Sequence, residues 1–188
     1  SFQPSADYPS GEKIPKQFLN SEMFRAWDTT QSLFYETVSE RFGERQPLCF
    51  LHSFGCQQNV SDGEKIMMML STVGFGFTND TDEADLIIYN TCAVRENAED
   101  RVFGAVGNLK HLKEQKPDVV IGICGCMAQQ EHIAQRIKET YRQVDLVFGT
   151  FAYNDLYSML WEVIDNNKRV FNLTENNQER DKQNGNSL

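Results

Sequence analysis

No apolar run in these 188 residues approaches the ~20 that a membrane-spanning helix needs, so no membrane association is expected. Positive charge is also scarce. Eighteen Lys plus Arg stand against 27 Asp plus Glu, a formal net charge of −9. That balance argues against a free-standing nucleic-acid binder, which neutralises phosphates with a Lys/Arg-rich face. It leaves room for a domain that works beside a basic neighbour. Residues 1–11 have neither a charged n-region nor an apolar h-region, so no signal peptide is visible. No two cysteines have the short Cys-x-x-Cys spacing of structural zinc sites. The three histidines, His52, His111 and His132, are scattered without ligand spacing. The cysteines number five. An odd count without a secretion signal points away from a disulfide framework and towards thiols kept reduced, in a cytoplasmic protein.

What is present reads as one globular domain with appendages, long enough to bury a sizeable core. Three of the five prolines fall between Pro4 and Pro15, and residues 1–16 read as a disordered tail. Residues 17–46 read as a helical extension, one or two helices interrupted near Thr29-Thr30, with Phe18, Leu19, Met23, Phe24, Trp27, Leu33, Phe34, Val38 and Phe42 at helical spacing. Residues 47–167 form the main domain. Strands are predicted at Leu48–Phe54, Leu86–Tyr89, Val119–Ile123 and Val144–Phe148. Helices are predicted between them: one opened by a capping box at Ser61–Glu64 and stopped at Gly74, one from Ala98 to before Pro117, one around Ile133–Tyr141, and one over Leu156–Ile164. Residues 168–188 read as a linker or tail. Apolar strands without polar alternation, separated by helices, predict a three-layer α/β fold of the flavodoxin or Rossmann kind. Its parallel sheet carries helices on both faces, joined by right-handed crossovers.

The cysteines fall on that scheme in a pattern. Cys56 follows the first strand, Cys92 the Leu86–Tyr89 strand, and Cys126 the Val119–Ile123 strand. In a parallel sheet all three lie at the carboxyl edge, where open α/β sheets bind ligands. Each also precedes a predicted helix, whose N-terminal dipole favours thiolate. Three converging thiolates make a soft-metal site for zinc, copper(I) or iron–sulfur with one position vacant. Gly55 and Gly125 leave room beside it. Position alone also allows independent, inert core cysteines. Cys49 and Cys124 read as packing. Gly74-Phe-Gly76 lacks the third glycine of a dinucleotide loop and reads as a turn. Met67-Met-Met69 reads as helix face. Lys110, Lys113 and Lys116 suit a helix C-terminus without RNA. Arg95 either caps a helix or stabilises charge near the cysteines.

Three segments, Gly55-Cys-Gln-Gln-Asn59, Asn90-Thr-Cys-Ala-Val-Arg-Glu-Asn-Ala98 and Gly125-Cys-Met-Ala128, resemble the N-terminal domain of the methylthiotransferase family. Arg101-Val-Phe-Gly104, Asn108-Leu-Lys110 and Val144–Thr150 look most like its tRNA branch, whose members add a methylthio group to isopentenyladenosine beside the anticodon. The match covers about Leu48 to Asp165; Gln58 stands where the family usually has Met. The resemblance implies that Cys56, Cys92 and Cys126 ligate an auxiliary [4Fe–4S] cluster with an open iron. No residue is assigned a catalytic role. The family continues into a radical-SAM domain, with a second [4Fe–4S] cluster and S-adenosylmethionine, and a C-terminal RNA-binding module. No Cys-x-x-x-Cys-x-x-Cys occurs here. The resemblance therefore implies a first domain that meets tRNA only within the full-length enzyme and does not turn over alone. Other readings are a zinc-binding or redox interaction scaffold, a flavodoxin-like small-ligand domain, and a family branch acting on another tRNA base or a ribosomal protein.

Overall fold

A computed structural model describes residues 29–55, 57–93 and 98–174. The tail at 1–16, residues 17–28 of the helical extension, Cys56, Arg95 and residues 175–188 lie outside the described residues. The chain runs α1 (Thr29–Phe42), β1 (Leu48–Phe54), α2 (Gln57–Thr72), β2 (Gly76–Phe77), β3 (Leu86–Thr91), α3 (Ala98–Gln115), β4 (Val120–Gly125), α4 (Glu131–Thr140), β5 (Leu146–Phe148), a 3-10 turn (Thr150–Asp155), α5 (Leu156–Ile164) and β6 (Val170–Asn172). The described strands form one sheet in the order β2-β1-β3-β4-β5-β6, and every pairing is parallel. This is the expected α/β architecture, with the 2-1-3-4-5 order of the flavodoxin arrangement and one further strand. β6 lies inside the stretch read as linker or tail, and its Val170 and Phe171 pack against opposite faces of the sheet.

Alternation along the strands builds two cores. Leu86, Ile88, Leu146 and Phe148 face one layer, where they meet Phe34 and Val38 of α1, Ile66 and Leu70 of α2, and Leu156 and Leu160 of α5. Ile87, Tyr89, Ile121, Ile123 and Val147 face the other, under α3 and α4. β3 and β4 are buried on both faces, which is why they read as unbroken apolar runs.

Two expectations change. α2 starts at Gln57, so Ser61–Glu64 lies inside it and caps nothing. The crossovers also do not all share one hand. α2 carries the chain one way across the sheet on one face, and α3 and α4 carry it the other way on the opposite face, so those three agree. α5 steps outward in the direction of α3 and α4 but lies on the α2 face, giving the opposite hand. α3 and α4 already cover the other face, so the apolar α5 fills the uncovered ground over Leu146 and Phe148.

At the amino edge, two aspartates close the ladder. Asp85 accepts from Leu48 N (2.9 Å) and from both Arg45 terminal nitrogens (2.8 Å each). Asp145 accepts from Ile121 N (2.9 Å) and Lys113 Nζ (2.8 Å). Lys116 Nζ donates to Ala84 O (2.8 Å). Lys113 and Lys116 thus tie α3 to the edge opposite the cysteines. Burial pushes the Asp85 carboxyl up, but the Arg45 hydrogen bonds, the Leu48 N–H and the charges of Arg45 and Lys116 together hold it below its ordinary value. A depressed folded value gives stability that is present above the unfolded carboxylate range, near 3.9, and lost as pH falls through the folded value. Acid unfolding below about pH 4 is therefore expected to be shallower in Asp85→Asn, which also loses about 1–3 kcal/mol at neutral pH by weakening the acceptor for Leu48 N–H. Urea titrations at pH 3, 5 and 7 measure both; parallel pH profiles would remove Asp85 from the acid transition.

Candidate metal centre at the carboxyl edge

β1 and β3 are neighbours, yet the helices that follow them lie on opposite faces. That is the topological switch point, where the strand ends open a crevice. Cys56 follows β1 in sequence, Cys92 follows β3, and Cys126 follows β4, the next strand over.

Cys92 is fully buried and Cys126 half-buried. Their thiols are in hydrogen-bond contact. The Ala93 N–H donates to Cys126 Sγ (3.0 Å), and Cys126 Sγ lies 3.6 Å from the Thr91 carbonyl oxygen. Gly55 abuts the same spot: a Cβ added to it would stand 2.7 Å from Cys92 Cβ. Thus the residue preceding Cys56 touches Cys92, and Cys92 touches Cys126. Among the described residues no three His, Cys, Asp or Glu side chains form a metal-binding group; the third sulfur named by the sequence, Cys56, lies outside them.

The thiolate argument needs correcting. α4 begins five positions after Cys126, so that thiol does not sit at a helix N-terminus. Burial pushes the Cys126 thiol up, the Ala93 N–H opposes this, and the neighbouring Cys92 adds to the rise. Without a cation the balance favours the Cys126 thiol; a bound metal inverts that preference. The donor set fits an iron–sulfur group: soft sulfurs in contact, a backbone N–H already aimed at one of them, and two glycines where a Cβ would intrude.

Below the cysteines lies a buried polar network that the sequence reading missed. Asn59 of α2 (3% exposed) donates through Nδ2 to Thr91 O (2.8 Å) and Asn90 Oδ1 (3.3 Å). Asn90 (0% exposed) donates back to Asn59 O (2.5 Å). Thr91 Oγ1 donates to Cys124 O (2.6 Å). These bonds join the start of α2 and the ends of β3 and β4, the strands that Cys92 and Cys126 follow. The available signal was two polar residues, Asn90-Thr91, closing an otherwise apolar strand. A second link, Tyr153 Oη to Asp62 Oδ2 (3.3 Å), ties α2 to the 3-10 turn.

Cys49 and Cys124 lie elsewhere. Both are fully buried in the core under α2 and α5, and burial pushes both thiols up, Cys124 further through Asp62 and Cys49. His52 is exposed on β1, while His111 and His132 sit on α3 and α4. The Gly74-Phe-Gly76 segment is the α2–β2 turn, with Gly74 at φ +100°. No helix among the described residues is long and apolar enough to cross a membrane.

Comparison with known proteins adds two findings. The profile of the family described as Uncharacterized protein family UPF0004 matches residues 49–149. The chain is similar to the tRNA-2-methylthio-N(6)-dimethylallyladenosine synthase of Acetivibrio thermocellus, 47% identical over 131 residues, covering 70% of this chain and 27% of that protein. It is similar to the synthase of the same name from Clostridioides difficile, 45% identical over 138 residues, covering 73% of this chain and 29% of that protein. The chain thus spans under a third of the length of the relatives it matches.

Proposed function

Because the chain belongs to the UPF0004 family, we propose that it is the cluster-holding N-terminal domain of a tRNA methylthiotransferase acting on dimethylallyladenosine, with Cys56, Cys92 and Cys126 as ligands of an auxiliary [4Fe–4S] cluster. The observation that carries this reading is the chain of contacts from Gly55 to Cys92 to Cys126 at the switch point. The relatives' names support the substrate. When bound by three cysteines, such a cluster supplies one iron without a protein ligand, able to take an exogenous sulfur. The protein's part is positional. Ala93 N–H holds Cys126 Sγ, and the Asn59–Asn90–Thr91 network joins the start of α2 to the ends of β3 and β4. Cleavage of S-adenosylmethionine, the second cluster and most of the tRNA affinity belong to protein outside these residues, so the chain alone does not turn over.

Anaerobic reconstitution with iron and sulfide tests the assignment. About four irons per chain are expected, lost in Cys56→Ala, Cys92→Ala and Cys126→Ala and kept in Cys49→Ala and Cys124→Ala. Stoichiometric zinc without sulfide, or a cluster indifferent to the first three variants, overturns it.

A further inference from the structure

Among the described residues, no element covers the face of β1 opposite α2. In a doubly wound sheet, the crossover from β2 to β3 normally lays a helix over it. Here that crossover is the eight-residue stretch 78–85, which carries no helix. What it leaves uncovered is a row of aromatic rings. Phe50, His52 and Phe54 alternate along β1 on this side, with Tyr89 of β3, itself buried, beside them. His52 and Phe54 meet edge to face at 4.5 Å, and Phe54 and Tyr89 at 5.3 Å. His52 is exposed, and Phe50 and Phe54 are half-buried.

A cleft of about 500 Å³ opens at the upper end of this row, between Phe54, His52 and Arg101 on one side and Val60, Glu64 and Met67 of α2 on the other. A second, of about 430 Å³, opens at its lower end beside Tyr89, Ala105 and Asn108. β2 pairs only with Leu48 and Cys49, so beyond them no described strand pairs with this edge of β1. Leu48 directs its carbonyl towards β3 and Cys49 towards the β2 side, so the alternate residues Leu51 and Ser53 turn their N–H and C=O groups into the upper cleft. Arg101 is exposed and has no ion-pair partner among the described residues. The row leads directly to Gly55, which touches Cys92.

We infer that this aromatic row is a stacking platform for unpaired nucleotides of an RNA strand, with His52 and Phe54 stacking bases, Arg101 meeting a phosphate and this edge of β1 offering hydrogen bonds to base edges. The inference rests on the tRNA reading above and names where on this domain the RNA lies. Its chemistry is that of single-strand recognition: exposed rings on a sheet surface accept bases of any identity, and one cation anchors the backbone. Burial and the nearby Arg101 charge pull His52 below its ordinary value, so its ring is neutral at pH 7 and stacks without desolvating a charge. A net charge of −9 makes this a contact of shape and stacking rather than of bulk attraction.

The test uses the 188-residue chain and three probes: an RNA hairpin whose loop carries unpaired adenosines, the same strand annealed to its complement, and no RNA. Amide shifts by NMR are expected at residues 50–55 and around Arg101 with the hairpin and not with the duplex. His52→Ala and Phe54→Ala are each expected to weaken hairpin binding about tenfold, while Phe54→Trp retains it. Arg101→Gln is expected to lower the salt dependence by about one phosphate contact. Three results overturn the inference: no shifts in this region at the highest soluble RNA concentration, equal binding by the alanine variants, or a self-association of the chain that Phe54→Ala abolishes. Iron content of His52→Ala and Phe54→Ala after reconstitution separates the two readings. In the unsubstituted chain, RNA binding absent with iron retained removes the platform alone; binding present with no cysteine-dependent iron removes the cluster alone.

Discussion

Gly125→Ala is expected to destabilise the chain by about 2–5 kcal/mol and to abolish metal loading together with it. The backbone at Gly125 has φ +101°, a region that costs a residue bearing a Cβ about 1–2 kcal/mol. Space compounds this. An added Cβ would clash with the Thr91 carbonyl oxygen and stand 2.8 Å from Asn90 Oδ1 and 2.9 Å from Thr91 N. Two of those atoms are backbone of the adjacent central strand, so the strands themselves must separate, and overpacking of that kind adds about 1–3 kcal/mol. Gly122, three residues earlier on the same strand, is the control. Its added Cβ would find its nearest atom, in Leu146, at 3.6 Å, an ordinary contact. Thermal melts should show Gly122→Ala within a few degrees of the parent and Gly125→Ala lower by on the order of 10 °C. If the two alanines melt alike, the tight turn between β4 and Cys126 is not what holds that thiol in place.

The contrast between these glycines shows what could be read from the residues. The apolar runs at Leu86–Tyr89 and Val119–Ile123 announced central parallel strands because both of their faces are covered, and the helices between them followed from spacing. The carboxyl-edge placement of Cys92 and Cys126 needed only strand direction. Short elements were harder. Val170–Asn172 is three residues long and half-buried, too brief for any period to show, and its pairing depends on β5 being there to receive it. The start of α2 was displaced to Ser61 because Gln57, Gln58 and Asn59 look like loop residues; Asn59 is helical and buried only because Asn90 and Thr91 satisfy it. The face of β1 that no described element covers was invisible for a related reason. Phe50, His52 and Phe54 read as one more apolar strand until the missing helix left them uncovered.

Asn59 and Asn90 should behave as one unit, and a double-mutant cycle measures this. Asn59→Ala removes at least two hydrogen bonds and Asn90→Ala three, one of them its donation to Ser53 Oγ (3.4 Å). Asn59→Ala strips the Nδ2 donor from Thr91 O and Asn90 Oδ1; Asn90→Ala strips the donor from Asn59 O and the acceptor from Asn59 Nδ2. All of these groups are buried at the sheet's carboxyl edge, so each single change leaves a polar group without a partner, at about 1–3 kcal/mol, with a small cavity added. The second change removes groups already orphaned by the first. The pair should therefore cost less than the sum of the singles, with a coupling of about 1–2 kcal/mol in urea unfolding. The network spans the start of α2 and the ends of β3 and β4, so its loss should also reach the cysteines. Iron uptake in reconstitution is expected to fall in either single variant at temperatures where the fold is intact by circular dichroism. A comparably destabilised core variant far from the edge, Ile137→Val, should keep full uptake. Additive costs would mean that the two amides act separately. Equal uptake in Asn59→Ala and Ile137→Val would mean that the cysteines find one another without this clamp, through the cluster itself.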